Sequence, residues 1–234
     1  MHLQWQLEGK HNPTRMNTYT PGRKIFPFII YLIAFNTMWI VWVYAFYPRI
    51  QAIGDRTLNY ALLNLIVRSL VWVLPVFLYI RYIDGVDPVK YLKLKQHWKR
   101  GVIVGLLLTG LNLLGLLVRL GMPHVNLNSI TWNSILSTSI LIGFFEEVPY
   151  RGFILQKCQE RVNFWVANLI SSLLFLGIHL PGWISLHMLR VGNVVVVFTL
   201  GFIMAIVFRY TKSLWSAIIT HSLNDFLSAV VFGG

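Results

Sequence analysis

Long apolar runs separated by short, mostly basic stretches dominate the chain. They occupy residues 25–47, 58–80, 101–120, 130–145, 164–180, 194–208 and 214–232. The first three have the roughly 20 residues that cross a hydrocarbon core, while the later ones are shorter or interrupted by polar side chains. The runs are continuous rather than alternating, which argues against a β-barrel. The pattern predicts an all-α polytopic transmembrane helix bundle of about seven spans, multi-pass in the cell membrane. Residues 1–24 read as a basic cytoplasmic N-tail without an apolar signal core. Residues 25–128 read as transmembrane scaffold and 129–234 as the helices that carry the chemistry, all in one membrane domain.

Composition supports this reading. The 234 residues are 56% hydrophobic and only 12% charged, about half the charge of a soluble domain. The net charge of +12 raises a nucleic-acid reading, but its distribution argues for topology. With the N-terminus in the cytoplasm, the cytoplasmic side receives the tail's lysines and arginines and those of segments 81–100, 151–161 and 209–212. The outer side receives Arg49, Arg56 and Arg190. That is the positive-inside asymmetry of an inserted protein, with attraction to anionic lipid and no nucleic-acid partner. Cys158 is the single cysteine, so neither an intrachain disulfide nor a cysteine metal cluster is expected. Aromatic residues near the run ends, such as Trp42, Tyr79 and Trp165, fit interfacial belts.

Three polar clusters stand against this background: Glu146-Glu147-Val148-Pro149-Tyr150-Arg151, Phe175 to His179, and His221-Ser222-Leu223-Asn224-Asp225. They hold three of the eight acidic residues in or beside apolar runs, where ions are costly and usually serve a task. On a helix Glu147 meets Arg151 four residues on, while Glu146 points elsewhere. Two adjacent carboxylates in different environments are suited to divided roles, with Glu146 the candidate base. The alternative is that both merely mark a span end. His179 closes an apolar run, and Leu180-Pro181-Gly182 is expected to break the helix directly after it. His221 and Asp225 are four apart, so Asp225 can orient the imidazole, or the two form an interhelical clasp. Arg68, isolated in the second run, either pairs inside the bundle or snorkels; a direct catalytic role is a further option.

Together the clusters resemble the motifs of the CPBP family, the CAAX proteases and bacteriocin-processing or Abi intramembrane endopeptidases. That family shows Glu-Glu-x-x-x-Arg, Phe-x-x-x-His and His-x-x-x-Asn or Asp on successive helices. The resemblance covers roughly residues 130–232. It implies a membrane-embedded hydrolase in which Glu146 is the general base, His179 helps to position or deprotonate the water, and His221 donates to the oxyanion with help from Asp225. Glu147 and Arg151 would hold the motif in shape, with Phe175 and Asn224 in support. Asp225 departs from the Asn of eukaryotic CAAX proteases, and an ionised Asp cannot donate to an oxyanion. The neighbouring Asn224 is a possible replacement.

Convergence of the clusters sets a condition on the fold. A helix ending at Phe145 would leave Glu146 at the interface and His179 roughly 22 Å deeper, at about 1.5 Å per residue. The helix is therefore expected to continue past Pro149 to near Lys157, bent at the proline, with Arg151 buried against Glu147. The functional expectation is a metal-independent glutamic endopeptidase that cleaves a peptide or membrane-protein substrate near the cytoplasmic face. No cofactor is expected, although a Glu with two histidines could in principle bind zinc. The alternatives are a non-catalytic immunity or scaffold protein that binds a peptide in the same cavity, and a transporter. The lack of paired broken repeats counts against the last.

Overall fold

The computed structural model describes residues 25–54, 56–121 and 126–231. The expected basic tail, 1–24, and the final residues of the last apolar run lie outside the described residues. Among the described residues, seven long helical elements follow one another: α1 (Ile25–Gln51), α2 (Leu58–Asp84), α3 (Trp98–Leu120), α4 (142–159), α5 (Phe164–Ser185), α6 (Val191–Thr211) and α7 (Trp215–Val231). No strand occurs among the described residues. Five of these helices, α1, α2, α3, α5 and α6, are long and apolar enough to cross a membrane. The expected count of about seven spans is not reached on that measure, because α4 carries four charged side chains and the described part of α7 is only 17 residues long. The chain is a multi-pass membrane protein.

Local sequence sets the ends of the helices. Thr57 caps α2 by accepting from the Tyr60 amide, and Asn163 caps α5 by accepting from Trp165 and Val166. Gly85 closes α2 at φ 74°, a conformation glycine adopts without strain. Three helices contain both a proline and a widened, π-helical stretch: Trp42–Phe46 before Pro48, Ser69–Val73 before Pro75, and Val148–Ile154, which includes Pro149. A proline removes one donor from the helical ladder, and a wider turn relieves the clash of its ring with the preceding turn.

α4 departs from the simple reading of its apolar run. Residues 130–145 do not form one helix. Chain direction changes between the short helical turn Ser134–Thr138 and Ile142, and the helix then continues through both glutamates to Gln159. The expected continuation past Pro149 is therefore present. A second expectation fails: α5 runs through Pro181 to Ser185. The carbonyl of Ile178, in the turn before that proline, accepts from Trp39 Nε1 of α1 at 2.8 Å. This bond anchors the proline-bearing turn from outside the helix.

The bundle is arranged around α4, which touches α2, α5, α6 and α7. An aromatic core surrounds its middle: Tyr31 and Phe35 of α1, Trp72 and Tyr79 of α2, Tyr150 and Phe153 of α4, and Phe175 of α5. The outward faces are apolar, as on α3, where Leu107, Leu111 and Val118 are exposed. Such a surface suits lipid rather than water. At one end, buried Lys157 of α4 reaches Asp84 of α2 at 3.1 Å and Glu160 at 3.0 Å, tying the end of α4 to that of α2.

Candidate active site

Close contact between α4 and α7 assembles the site, and Gly143 permits that contact. A Cβ at this position would lie 2.4 Å from Ser222 Oγ and 2.5 Å from the Ile218 carbonyl. No side chain fits there without moving α7, and the next turns of the two helices carry Glu147 and His221.

Glu147 forms the inner layer. Its Oε1 accepts from Arg151 Nη1 at 3.0 Å and lies 2.8 Å from His221 Nδ1. Glu147 and Arg151 are both fully enclosed. The i,i+4 pair expected from the motif is present, and it extends into a chain Arg151–Glu147–His221. The geometry differs from the expected orientation of His221 by Asp225: the His221 Nε2–Asp225 Oδ2 distance is 3.6 Å, longer than a hydrogen bond. Glu147, 74 residues away in sequence, holds the ring instead. The i,i+4 spacing brings Asp225 alongside His221, but its side chain is 40% exposed and turned towards the cavity.

Glu146 lies on a different face of α4, as the spacing requires. Its Oε2 is 3.6 Å from His221 Nε2 and 4.0 Å from His179 Nε2, with no hydrogen-bond partner among the described residues. His179 Nδ1 lies 2.9 Å from the Phe175 carbonyl, where a ring N–H donates, so Nε2 faces Glu146 as an acceptor in the neutral ring. Phe175 packs edge-on against His179 and His221, at centroid distances of 4.9 and 5.9 Å. The Arg151 guanidinium lies 4.3 Å from its ring centroid. One aromatic ring thus contacts the buried cation and both imidazoles.

A cavity of about 400 Å³ opens over these groups. Glu146, Glu147, Arg151, His179, His221, Asn224 and Asp225 make its polar floor, and Trp183 of α5 with Val196, Val197, Leu200 and Met204 of α6 make an apolar wall. Asn224 accepts from Asn112 of α3 at 3.2 Å through Oδ1. Every residue singled out by the three motifs therefore lines or borders one cavity. Asn193 of α6 also lines the cavity, but the α6 wall gave no signal in sequence, since the apolar run that follows it does not reveal which face it turns inward. Arg68 of α2 is the other group outside the motifs, 3.9 Å from Glu146 Oε1. Among the described residues, no group of three His, Cys, Asp or Glu side chains is arranged to hold a metal ion.

Comparison with known proteins agrees with this geometry. Residues 128–227 match the family model described as type II CAAX prenyl endopeptidase Rce1-like. Over that segment the chain matches the CPBP family. The match spans less than half of the chain but takes in all three clusters, and it agrees with the extent of the motif resemblance. No curated protein and no solved structure matches the chain. The family is one of endopeptidases, so peptide-bond hydrolysis within the membrane is the activity its match suggests.

Proposed function

We propose that the chain is an intramembrane glutamic endopeptidase that cleaves a peptide bond with a water activated by Glu146 and His179. The observation that carries this reading is Glu146 Oε2, an enclosed carboxylate oxygen without a hydrogen-bond partner, facing two imidazole nitrogens at 3.6 and 4.0 Å. Such separations suit a water that bonds to both groups from the cavity side.

The step follows from the positions of the groups. A water donates to Glu146 Oε2 and to His179 Nε2, and the carboxylate takes its proton as oxygen attacks the scissile carbonyl carbon. With Nδ1–H given to Glu147, His221 carrying a second proton on Nε2 is an imidazolium that donates to the developing oxyanion. Collapse of the tetrahedral intermediate breaks the C–N bond, and protonated Glu146 returns its proton to the leaving amine. Water is consumed, a carboxyl and an amine are formed, and Glu146 is restored. Each ring nitrogen used has a stated partner, and no step calls for a metal ion or a covalent intermediate. Asp225, 3.6 Å from His221 Nε2, adds negative charge beside the imidazolium without bonding to it. Asn224 Nδ2 is a second candidate donor to the oxyanion.

Substrate would enter along the apolar wall of α6 and reach the polar floor, which suits a hydrophobic peptide segment or a membrane protein. The test uses purified protein in proteoliposomes with a peptide library, product masses being read for wild type, Glu146→Gln, His179→Ala and His221→Ala. The expected result is cleavage by wild type and a loss of at least about 10²-fold in each variant, with insertion unchanged. Equal cleavage by wild type and Glu146→Gln would remove the peptidase reading. Cellular activity retained in all three variants would favour a non-catalytic peptide-binding or scaffold role.

A further inference from the structure

Arg68 belongs to the half of the chain outside the family match, yet it approaches the candidate base. Its Nη1 lies 3.9 Å from Glu146 Oε1, whereas the two imidazoles are closest to Oε2. The guanidinium lies against a T-shaped pair of indoles, 5.7 Å from the Trp39 ring and 5.1 Å from the Trp72 ring, whose own centroids are 4.6 Å apart. Its Nε and Nη1 are enclosed and have no hydrogen-bond partner among the described residues. Such a charge is costly unless an opposite charge compensates it, and Glu146 is the acid within 4 Å. Asp225, Tyr47 and Tyr60 face Arg68 as well, with Glu146 first among the groups whose charge acts on it.

The surroundings fix the arginine rather than merely tolerate it. Arg68 ends the regular part of α2, where Ser69–Val73 widens ahead of Pro75. Trp39, one of its two indole walls, donates to the Ile178 carbonyl in the residue before His179. Both partners of the candidate water are thus tied to the same assembly from α1 and α2. Arg68 is not among the residues that line the cavity, and it approaches Glu146 from α2.

Resting on the peptidase reading for its role in turnover, we propose that Arg68 is a positioning residue: it holds Glu146 Oε1 so that Oε2 faces the two imidazoles. The active constellation then includes α2, and the first half of the chain contributes to the chemistry as well as to the scaffold. The indole pair attracts the guanidinium and limits its movement on that side, so the carboxylate meets a cation held in place.

Two measurements test this. The first needs no substrate: apparent Tm of wild type, Arg68→Gln, Glu146→Gln and the double variant in one detergent. Each single change strands the opposite charge, so the double variant should melt about 2–8 °C above the sum of the two single losses. Additive losses would overturn the pairing. The second is cleavage in proteoliposomes, where Arg68→Gln should lower kcat about 10- to 100-fold with KM unchanged, and Arg68→Lys should recover part of the loss. An Arg68→Gln protein with wild-type kcat, in a preparation where Glu146→Gln is inactive, would overturn the positioning role and leave the peptidase intact. If Glu146→Gln cleaves like wild type, the peptidase reading and the positioning role fall together, and the melting cycle decides the pairing alone.

Discussion

α3 and α4 are opposite kinds of membrane helix. α3 presents Leu107, Leu111 and Val118 outward, and its ends, not its middle, carry its charges. α4 is enclosed on nearly every side and carries Glu146, Glu147, Arg151 and Lys157 within a single helix. Hydropathy identifies α3 as a span and passes over α4. A helix that faces lipid must be apolar, whereas one shielded by other helices can carry charge if each charge finds a partner. The helix least like a membrane span is therefore the one that organises the site.

The contrast can be broken most severely at Glu147. Glu147→Gln removes the charge opposite the buried Arg151 and replaces the carboxylate that holds His221 with a neutral amide. Loss of one member of a buried pair costs about 3–5 kcal/mol, so apparent Tm should fall by about 6–20 °C at about 2–4 °C per kcal/mol. A shift below 2 °C would mean that Arg151 has another counter-charge. The same change tests which acid orients His221, because cleavage should fall with the loss of Glu147.

A smaller effect is expected at the two helices' glycines. Gly143→Ala would place a methyl group against Ser222 and the Ile218 carbonyl, and overpacking of this kind costs about 1–3 kcal/mol. Gly110 of α3 has nothing near its added Cβ, and Gly110→Ala should change stability by less than about 0.5 kcal/mol. Thermal melts of the two variants side by side read the difference directly. Equal shifts would mean that α4 and α7 are not in the tight contact described. The smallest effect is expected at Asp225. With 3.6 Å between Asp225 and His221, Asp225→Asn should keep cleavage within about 3-fold, a change of less than 1 kcal/mol. A loss of 100-fold would return the orienting role to Asp225.

Much of the site was legible because its chemistry is local. Glu147 and Arg151 pair at four residues, His179 lies one turn after Phe175, and the need for the clusters to meet required a helix through Pro149. What remained hidden depends on how helices are rotated against one another. An apolar run has no phase, so the cavity face of α6 and the approach of Arg68 to Glu146 leave no mark in sequence. The choice of Glu147 over Asp225 as the partner of His221 was hidden for the same reason: a contact four residues away is readable, whereas one 74 residues away depends on Gly143 admitting α7. Pro181 misled because its effect on α5 depends on the surrounding packing, including the bond from Trp39 to the preceding turn.

The placement of a water by Glu146 is tested most directly by Glu146→Asp, which keeps the charge and withdraws the carboxylate by one methylene, about 1.5 Å. Cleavage of the same peptide by wild type and Glu146→Asp should differ by about 100-fold in kcat, with apparent Tm changed by only a few degrees. An Asp variant as fast as wild type would contradict a role for this carboxylate in placing the attacking water.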